Sequence, residues 1–323
     1  MIEGMRILGE NLNATRKIAK TTKRIIHKDG RFLLKYSDEQ GLEAFLDLTE
    51  ARKTADARDS KMLPYIAEGI KQRDARWARA TAIDQIHAGA DFIDLCVDEC
   101  TTRPEERWAH LEWLIQTVAP VVQDAALTVD SSDAEAIRKG LALIVALGKR
   151  PMVNSINLES DRKALIPDIV KHKALVVANA SGEKGLPKNA DERIANMTQL
   201  QDLMDQAGIP MGDRYLDPLV LPIATDSQNG NYFFASTKAM RAKYPDVHIT
   251  GGLSNVSFGL PNRSILNNAM MFLFKKYGGD SAIIDPLQIK RFETDDPAFP
   301  YAVEALEGRD EYCAEFTMFC KSQ

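Results

Sequence analysis

Eight short-stemmed acids and amides punctuate the apolar runs of this chain: Glu10, Asn13, Asp94, Asp130, Asn154, Asp217, Asn255 and Asp285. None is a histidine or a lysine, the side chains that ordinarily carry acid/base or Schiff-base chemistry. Such a set is suited to accepting hydrogen bonds. A pterin or purine-like heterocycle presents a ring N–H beside an exocyclic amino group, and one carboxylate can accept both in a charge-assisted pair. Asp217 and Asp130 suit that task, with Asn154 able to meet a neighbouring donor or acceptor. Asn255 stands in GGLSNVSFGLPNR, at 251–263, which ends an apolar run on an amide and then opens a helical pattern. A local role competes at each position, because strand-end Asp and Asn also cap helices and turns. Asp130 precedes Ser131, Ser132 and Asp133, any of which could cap the next helix, and Asp285 before Pro286 is a common turn opener.

The elements that must position these groups alternate. Eight β-prone runs are separated by helical patterns: MRILG (5–9), DFIDLCV (91–97), ALTVD (126–130), PMVNSI (151–156), ALVVANA (174–180), RYLDP (214–218), VHITGG (247–252) and SAIID (281–285). Helical stretches include 133–146, 189–207 and 262–277. Alternation of this kind signals parallel strands joined by crossover helices, and eight βα units match a (β/α)8 TIM barrel, whose functional residues finish the strands. An open doubly wound sheet is the competing architecture. It is weakened because no GxGxxG follows any of the eight runs. The expectation is a single barrel domain over 1–323.

One connection breaks the rhythm. Residues 14–61 follow the first strand, where a βα loop ordinarily takes roughly 2 to 6 residues. Within this insertion Asp29-Gly30 separates two β-prone runs and readily adopts the positive φ angles of a type I′ turn, which predicts a β-hairpin over the barrel mouth. From Arg16 to Lys35 there are eight Lys or Arg residues against one acid, Asp29. The bland reading of that charge is a solvated face.

Composition bounds the rest. The chain has 323 residues, 45% of them hydrophobic, with 41 Lys and Arg against 46 Asp and Glu for a net charge of −5. No pervasive positive field points to nucleic acid or a membrane surface, and no run resembles a signal peptide or a membrane span. Four cysteines, at 96, 100, 313 and 320, are too few to staple a chain of this length, so a reducing cytoplasm is expected. Cys96 and Cys100 lack a second Cys or His pair at zinc-like spacing, and no metal is expected.

On these residues the chain resembles the methyltetrahydrofolate:corrinoid methyltransferases, which share a pterin-binding barrel with dihydropteroate synthase and with the folate module of cobalamin-dependent methionine synthase. LGENLN (8–13) resembles the family's opening motif, GADFIDL (89–95) the second-strand motif and LTVDSSDAEAIRKGL (127–141) the third. MVNSIN, YLDPLVLP and GLSNVSFGLPNR follow in the family's order. The resemblance implies that Asp130, Asn154 and Asp217 hold the pterin ring and that Asn255 reaches its N5. It matches Glu10, Asn13, Asp94, Asn262 and Arg263 to motif positions of the folate site. Two departures stand out: Cys96 and Asp98 occupy the second-strand run where relatives often carry Asn, and the basic insertion is absent from the shortest relatives.

The resemblance further implies methyl transfer between N5 of tetrahydrofolate and the cobalt of a corrinoid carried by a partner protein, with 5-methyltetrahydrofolate as substrate. A resident cobalamin is not expected, because the Asp-x-His-x-x-Gly signature does not occur in this sequence. Lys20, Lys23 and Arg24 are the candidate docking residues for the corrinoid protein, and a homodimer is expected from the family. Dihydropteroate synthase is the enzymatic alternative, but it needs a lysine near the end of the seventh strand and an arginine from the eighth. Those places read GGLSN and IIDP. A non-catalytic folate-binding protein is the other alternative, and Asn255 argues against it.

Overall fold

The computed structural model describes residues 4–123, 125–288 and 294–323. All eight expected strands form: β1 (Arg6–Asn13), β2 (Phe92–Cys96), β3 (Ala126–Asp130), β4 (Pro151–Ile156), β5 (Leu175–Asn179), β6 (Arg214–Asp217), β7 (His248–Ile249) and β8 (Ser281–Ile284). They make one sheet in the order β7-β6-β5-β4-β3-β2-β1-β8. A parallel bridge between Gly252 and Ile283 links the two ends of that order. The fold is the (β/α)8 TIM barrel. By contacts the chain divides into two compact units, Gly9–Asn154 and Met1–Leu8 with Ser155–Gln323.

Two strands differ from expectation. β1 continues four residues past Gly9, to Asn13. The sequence disguises this because Glu10, Asn11 and Asn13 interrupt the apolar run, although Leu8 and Leu12 are fully buried on the strand's other positions. β7 stops at Ile249, and at Gly251, two residues on, a β-carbon would lie 3.2 Å from the Phe233 ring and 3.3 Å from Val220 Cγ2, a tight fit.

In Gly9–Asn154 the helix Ala134–Ala146 shows how a crossover is seated. Asp133 caps it by accepting from the backbone N–H groups of Glu135 and Ala136. Ala136, Ile137, Gly140, Leu141 and Ile144 form its buried stripe. A β-carbon at Gly140 would lie 2.8 Å from Val129 Cγ2, so glycine is what lets this helix close on β3.

The insertion carries its own structure. Strands Ile25–Lys28, Arg31–Ser37 and Glu43–Asp47 form an antiparallel sheet, and Ile18–Ala19 pairs with Met62–Leu63 to tie the segment's two ends together. The hairpin turns on Asp29 and Gly30, with φ of 50° and 74° and Lys28 opposite Arg31. Leu34 and Leu46, paired across strands, are fully buried, while Lys35 and Phe45, the next pair, face outward. Arg52, from the helix Thr49–Ala57, stacks 4.7 Å over Phe32. Among the described residues no helix is long and apolar enough to cross a membrane.

Candidate functional site

Of the residues singled out in the sequence, Asn13, Asp130 and Asp217 end their strands, Glu10, Asp94 and Asn154 lie within theirs, and Asn255, Asn262, Arg263 and Asp285 follow theirs; each unit holds a group of them. In Gly9–Asn154, parallel pairing sets Cys96 beside Asp130 and Asp130 beside Asn154. Asn13, at the end of β1, donates from Nδ2 to Asp130 Oδ2 at 2.9 Å and reaches Asp94 Oδ2 at 3.4 Å. Asn154 Nδ2 approaches the other oxygen of Asp94, also at 3.4 Å. Glu10 pairs with Arg16. The structure thus gathers Glu10, Asn13, Asp94, Asp130 and Asn154 into one carboxylate and amide cluster.

Asp94 is fully buried there. Burial pushes its carboxyl up to about 7, and the negative charge of Glu10 adds to the effect, while hydrogen bonds from Asn154 and Asn13 oppose it. A carboxyl held this way binds its proton more tightly in the folded chain than in the unfolded one. Its contribution therefore favours folding at acid pH and is lost as pH rises from about 4 towards 7. Asp94→Asn removes that dependence. Thermal melts at about pH 5 and about pH 8 should show the variant gaining on the parent at the higher pH. A stability difference that is the same at both would overturn the assignment.

Asp98 and Cys96, the two departures in the second-strand run, prove to be scaffold. Asp98 accepts from Ser131 Oγ at 2.7 Å and from the backbone N–H of Ser132 at 2.6 Å, which pins the segment after β3. Arg107 lies 3.8 Å from Asp98 and 3.3 Å from Asp133, bracing the same corner. Cys96 is buried, and its burial raises the thiol far above the range of a reactive thiolate. With Asp133 capping the helix, Asp130 is released from that local duty and turns to Asn13 instead.

In the other unit β6 ends on Asp217, which is buried. Its Oδ1 accepts from the backbone N–H of Leu219 at 2.8 Å, and Leu219 adopts a left-handed φ of 67° to make that bond. Burial pushes the Asp217 carboxyl up to about 7, against the Leu219 hydrogen bond and the positive charge of Arg193. At the end of β5, Asn179 Nδ2 donates to Ser155 Oγ at 2.7 Å.

Asn255 sits in the short 3₁₀ turn Leu253–Ser257 that follows β7. Its side chain is exposed, and its amide makes no hydrogen bond to any of the described residues. The turn around it is clamped by Arg263, whose Nε donates to Ser257 Oγ and whose Nη2 donates to Ser254 O, both at 3.0 Å. The same guanidinium stacks 4.4 Å over the half-exposed ring of Phe258. Asn262 takes a left-handed φ of 42° before the helix Arg263–Lys276 and accepts from Ser264 Oγ. Asp285 closes a turn, accepting from the backbone N–H of Leu287 and from Gln288 Nε2.

Sequence reasoning passed over Arg193 and Asn179, and weighed Ser131 only as a helix cap, where the structure has its hydroxyl donating to Asp98. Arg193 had left a signal: with Met197, Leu200, Gln201 and Met204 it occupies the buried stripe of the helix Ala190–Gln206, where a lone guanidinium needs an explanation. Among the described residues no group of His, Cys, Asp and Glu is arranged to hold a metal ion.

Comparison with known proteins gives a consistent set of likenesses. Residues 64–285 match the model of the pterin-binding enzyme family. A methylcorrinoid:tetrahydrofolate methyltransferase of Eubacterium limosum is 30% identical over 259 residues, which are 79% of this chain and 91% of that protein. Methionine synthase of Mycobacterium tuberculosis is 28% identical over 221 residues, 64% of this chain but 18% of the synthase, so one segment of that larger protein is matched. Among solved structures, the dihydropteroate synthase of Xanthomonas albilineans in complex with 7,8-dihydropteroate is similar with a TM-score of 0.52 at 17% identity, over 72% of this chain and 82% of that one. The dihydropteroate synthase of Coxiella burnetii in complex with pteroic acid has a TM-score of 0.51 at 13% identity, over 100% and 96% of the two chains. These two structural likenesses concern the fold alone.

Proposed function

The chain belongs to the pterin-binding enzyme family and, within it, to the methyltetrahydrofolate:corrinoid methyltransferases, and from that premise we propose that it moves a methyl group between N5 of tetrahydrofolate and the cobalt of a corrinoid carried by a separate protein. It would serve as the methyltransferase component of a demethylation or one-carbon route. The observation that carries this reading is the exposed side-chain amide of Asn255, without a hydrogen bond among the described residues, on a turn that Arg263 holds through Ser257 Oγ and the Ser254 carbonyl.

The chemical difficulty lies at nitrogen. A neutral tertiary amine is a poor leaving group, so N5 must gain a proton or strong hydrogen bonding as the methyl departs. N5 takes a proton from solvent as the methyl passes to Co(I) and the N–C electron pair stays on nitrogen; the Asn255 carbonyl accepts from the N5–H⁺ formed on the way, which is selective stabilisation of the transition state. The Asp217 carboxylate accepts paired N–H donors of the pterin, as a buried acceptor with only one of its hydrogen bonds spent on backbone. Asp130 and Asn154 meet further polar groups of the ring, with Asn13, Asp94 and Glu10 setting their orientation and charge. Asn262 and Arg263 act on folate through the turn they hold. The corrinoid supplies the methyl acceptor or donor at its cobalt, and every group contributed by this chain acts on folate.

Incubating the protein with methyltetrahydrofolate and free Co(I) cobalamin tests the reading. Loss of the Co(I) absorbance with matching release of tetrahydrofolate is expected. Methyltetrahydrofolate left intact under those conditions would sink it.

The corrinoid protein would dock on the basic insertion. Lys20 is mostly buried and already paired with Asp56, so Lys23 and Arg24 carry the charge available to a partner. Reversing both to Glu should raise the KM for the methylated corrinoid protein about tenfold at low salt, since rim charges govern association. Turnover with free cobalamin should be unchanged. An unaltered KM would return these residues to a solvated face.

A further inference from the structure

Arg193 is fully buried, in the first turn of the helix Ala190–Gln206. Its Nε donates to the carbonyl of Pro218 at 2.9 Å, the residue immediately after Asp217. Its guanidinium carbon lies 5.7 Å over the ring of Tyr232, from the helix Asn229–Lys243. Nη1 and Nη2 are both buried and have no hydrogen-bond partner among the described residues. A buried cation with two unspent donors is costly unless a fixed charge answers it.

Four groups act electrostatically on this guanidinium: Asp217, Tyr232, Asp226 and Glu192. Asp226 is exposed and spends an oxygen on the backbone N–H of Gln228. Glu192 is exposed and accepts from the backbone N–H of Lys188. Tyr232 presents a ring. That leaves Asp217 as the one buried carboxylate among them, on the strand whose continuation Arg193 grips.

We propose that Arg193 is a positioning residue for the folate site: its grip on the Pro218 carbonyl fixes the Asp217-Pro218-Leu219 turn, and its buried cation favours the carboxylate form of Asp217 as an acceptor. This rests on the reading of Asp217 as a pterin ligand. The physical need is that burial pushes the Asp217 carboxyl up to about 7 even with Leu219 and Arg193 opposing it, and a protonated carboxyl offers one fewer acceptor site to paired N–H donors. The Leu219 backbone N–H is the larger of the two effects that oppose burial at this carboxylate, and the Arg193 charge is the second.

Two measurements test it together. The first is the affinity for methyltetrahydrofolate across pH in the parent, Arg193→Met and Arg193→Lys. In the parent, affinity falls as pH drops through the Asp217 titration. In Arg193→Met the midpoint of that fall moves upward by about one pH unit or more, as expected for loss of a neighbouring opposite charge, and Arg193→Lys restores most of the difference. The second is a thermal-stability cycle over Arg193→Met, Asp217→Asn and the pair. The double variant should melt higher than the sum of the single losses predicts, because neutralising both partners leaves no lone buried charge.

The cycle does not depend on folate, so it decides the matter even where Arg193→Met is too unstable to titrate. An unmoved binding midpoint, or strictly additive melting losses, would overturn the role of Arg193 while leaving the methyltransferase reading intact. Unchanged folate affinity in Asp217→Asn, with strong coupling in the cycle, would instead remove Asp217 from the pterin site.

Discussion

Replacing Asn255 with alanine should lower the rate of methyl transfer about 10²- to 10³-fold while leaving the affinity for methyltetrahydrofolate within a few-fold of the parent. The split follows from when the hydrogen bond is made. Before transfer, N5 carries a methyl group and no proton, so the Asn255 carbonyl has little to accept. As the N5–methyl bond lengthens, N5 takes a proton from solvent and the hydrogen bond to Asn255 becomes charge-assisted; the methyl passes to Co(I), and the N–C electron pair stays on N5 as a neutral N–H amine. Losing a contact made chiefly in the transition state costs about 2.7 to 4 kcal/mol in the barrier and little in binding. The exposed side-chain amide makes the substitution clean, since no hydrogen bond to the described residues is lost with it. Single-turnover transfer at saturating folate reads the effect directly. A variant that transfers methyl at the parental rate would remove Asn255 from the chemistry.

Asp217→Ala should act on the other side of the ledger between binding and rate. Loss of methyltetrahydrofolate affinity by about 10²-fold or more is expected, with the residual turnover at saturation much less affected, because a buried carboxylate accepting paired N–H donors forms its bonds in the ground state. Two charge-assisted hydrogen bonds of about 1.5 to 3 kcal/mol each set the scale. The same substitution leaves the Arg193 cation without its buried counter-charge, so the variant should also melt lower. Asp217→Asn retains the volume and one acceptor and is the better binding probe. Calorimetric titration of the two variants checks the expectation, and parental affinity in both would refute it.

The strand-end chemistry was legible because a parallel barrel converts order along the chain into position. Asp130 ends one run and Asn154 stands within the next, and the two lie side by side in the sheet. The hairpin was legible for a still more local reason, since Asp-Gly admits the two positive φ angles that its turn requires. What escaped depended on partners remote in sequence. Lys20 reads as a free cation until the fold brings Asp56 to it, and Asp98 reads as part of the cup until Ser131 and Ser132 arrive across β3. Arg263 reads as a substrate contact, yet two of its nitrogens are spent on the turn that carries Asn255.

By itself, then, the amino-acid sequence determined the (β/α)8 architecture, the insertion and the roster of acids and amides, because periodicity, turn chemistry and residue type are properties of short segments. Tertiary structure alone decided which of those polar groups are spent and which are free. Charge state and hydrogen-bond capacity depend on burial and on neighbours brought from far along the chain. Asn255 and Asp217 show the difference: one is left exposed with an unused amide, and the other is buried beside an arginine from the preceding helix.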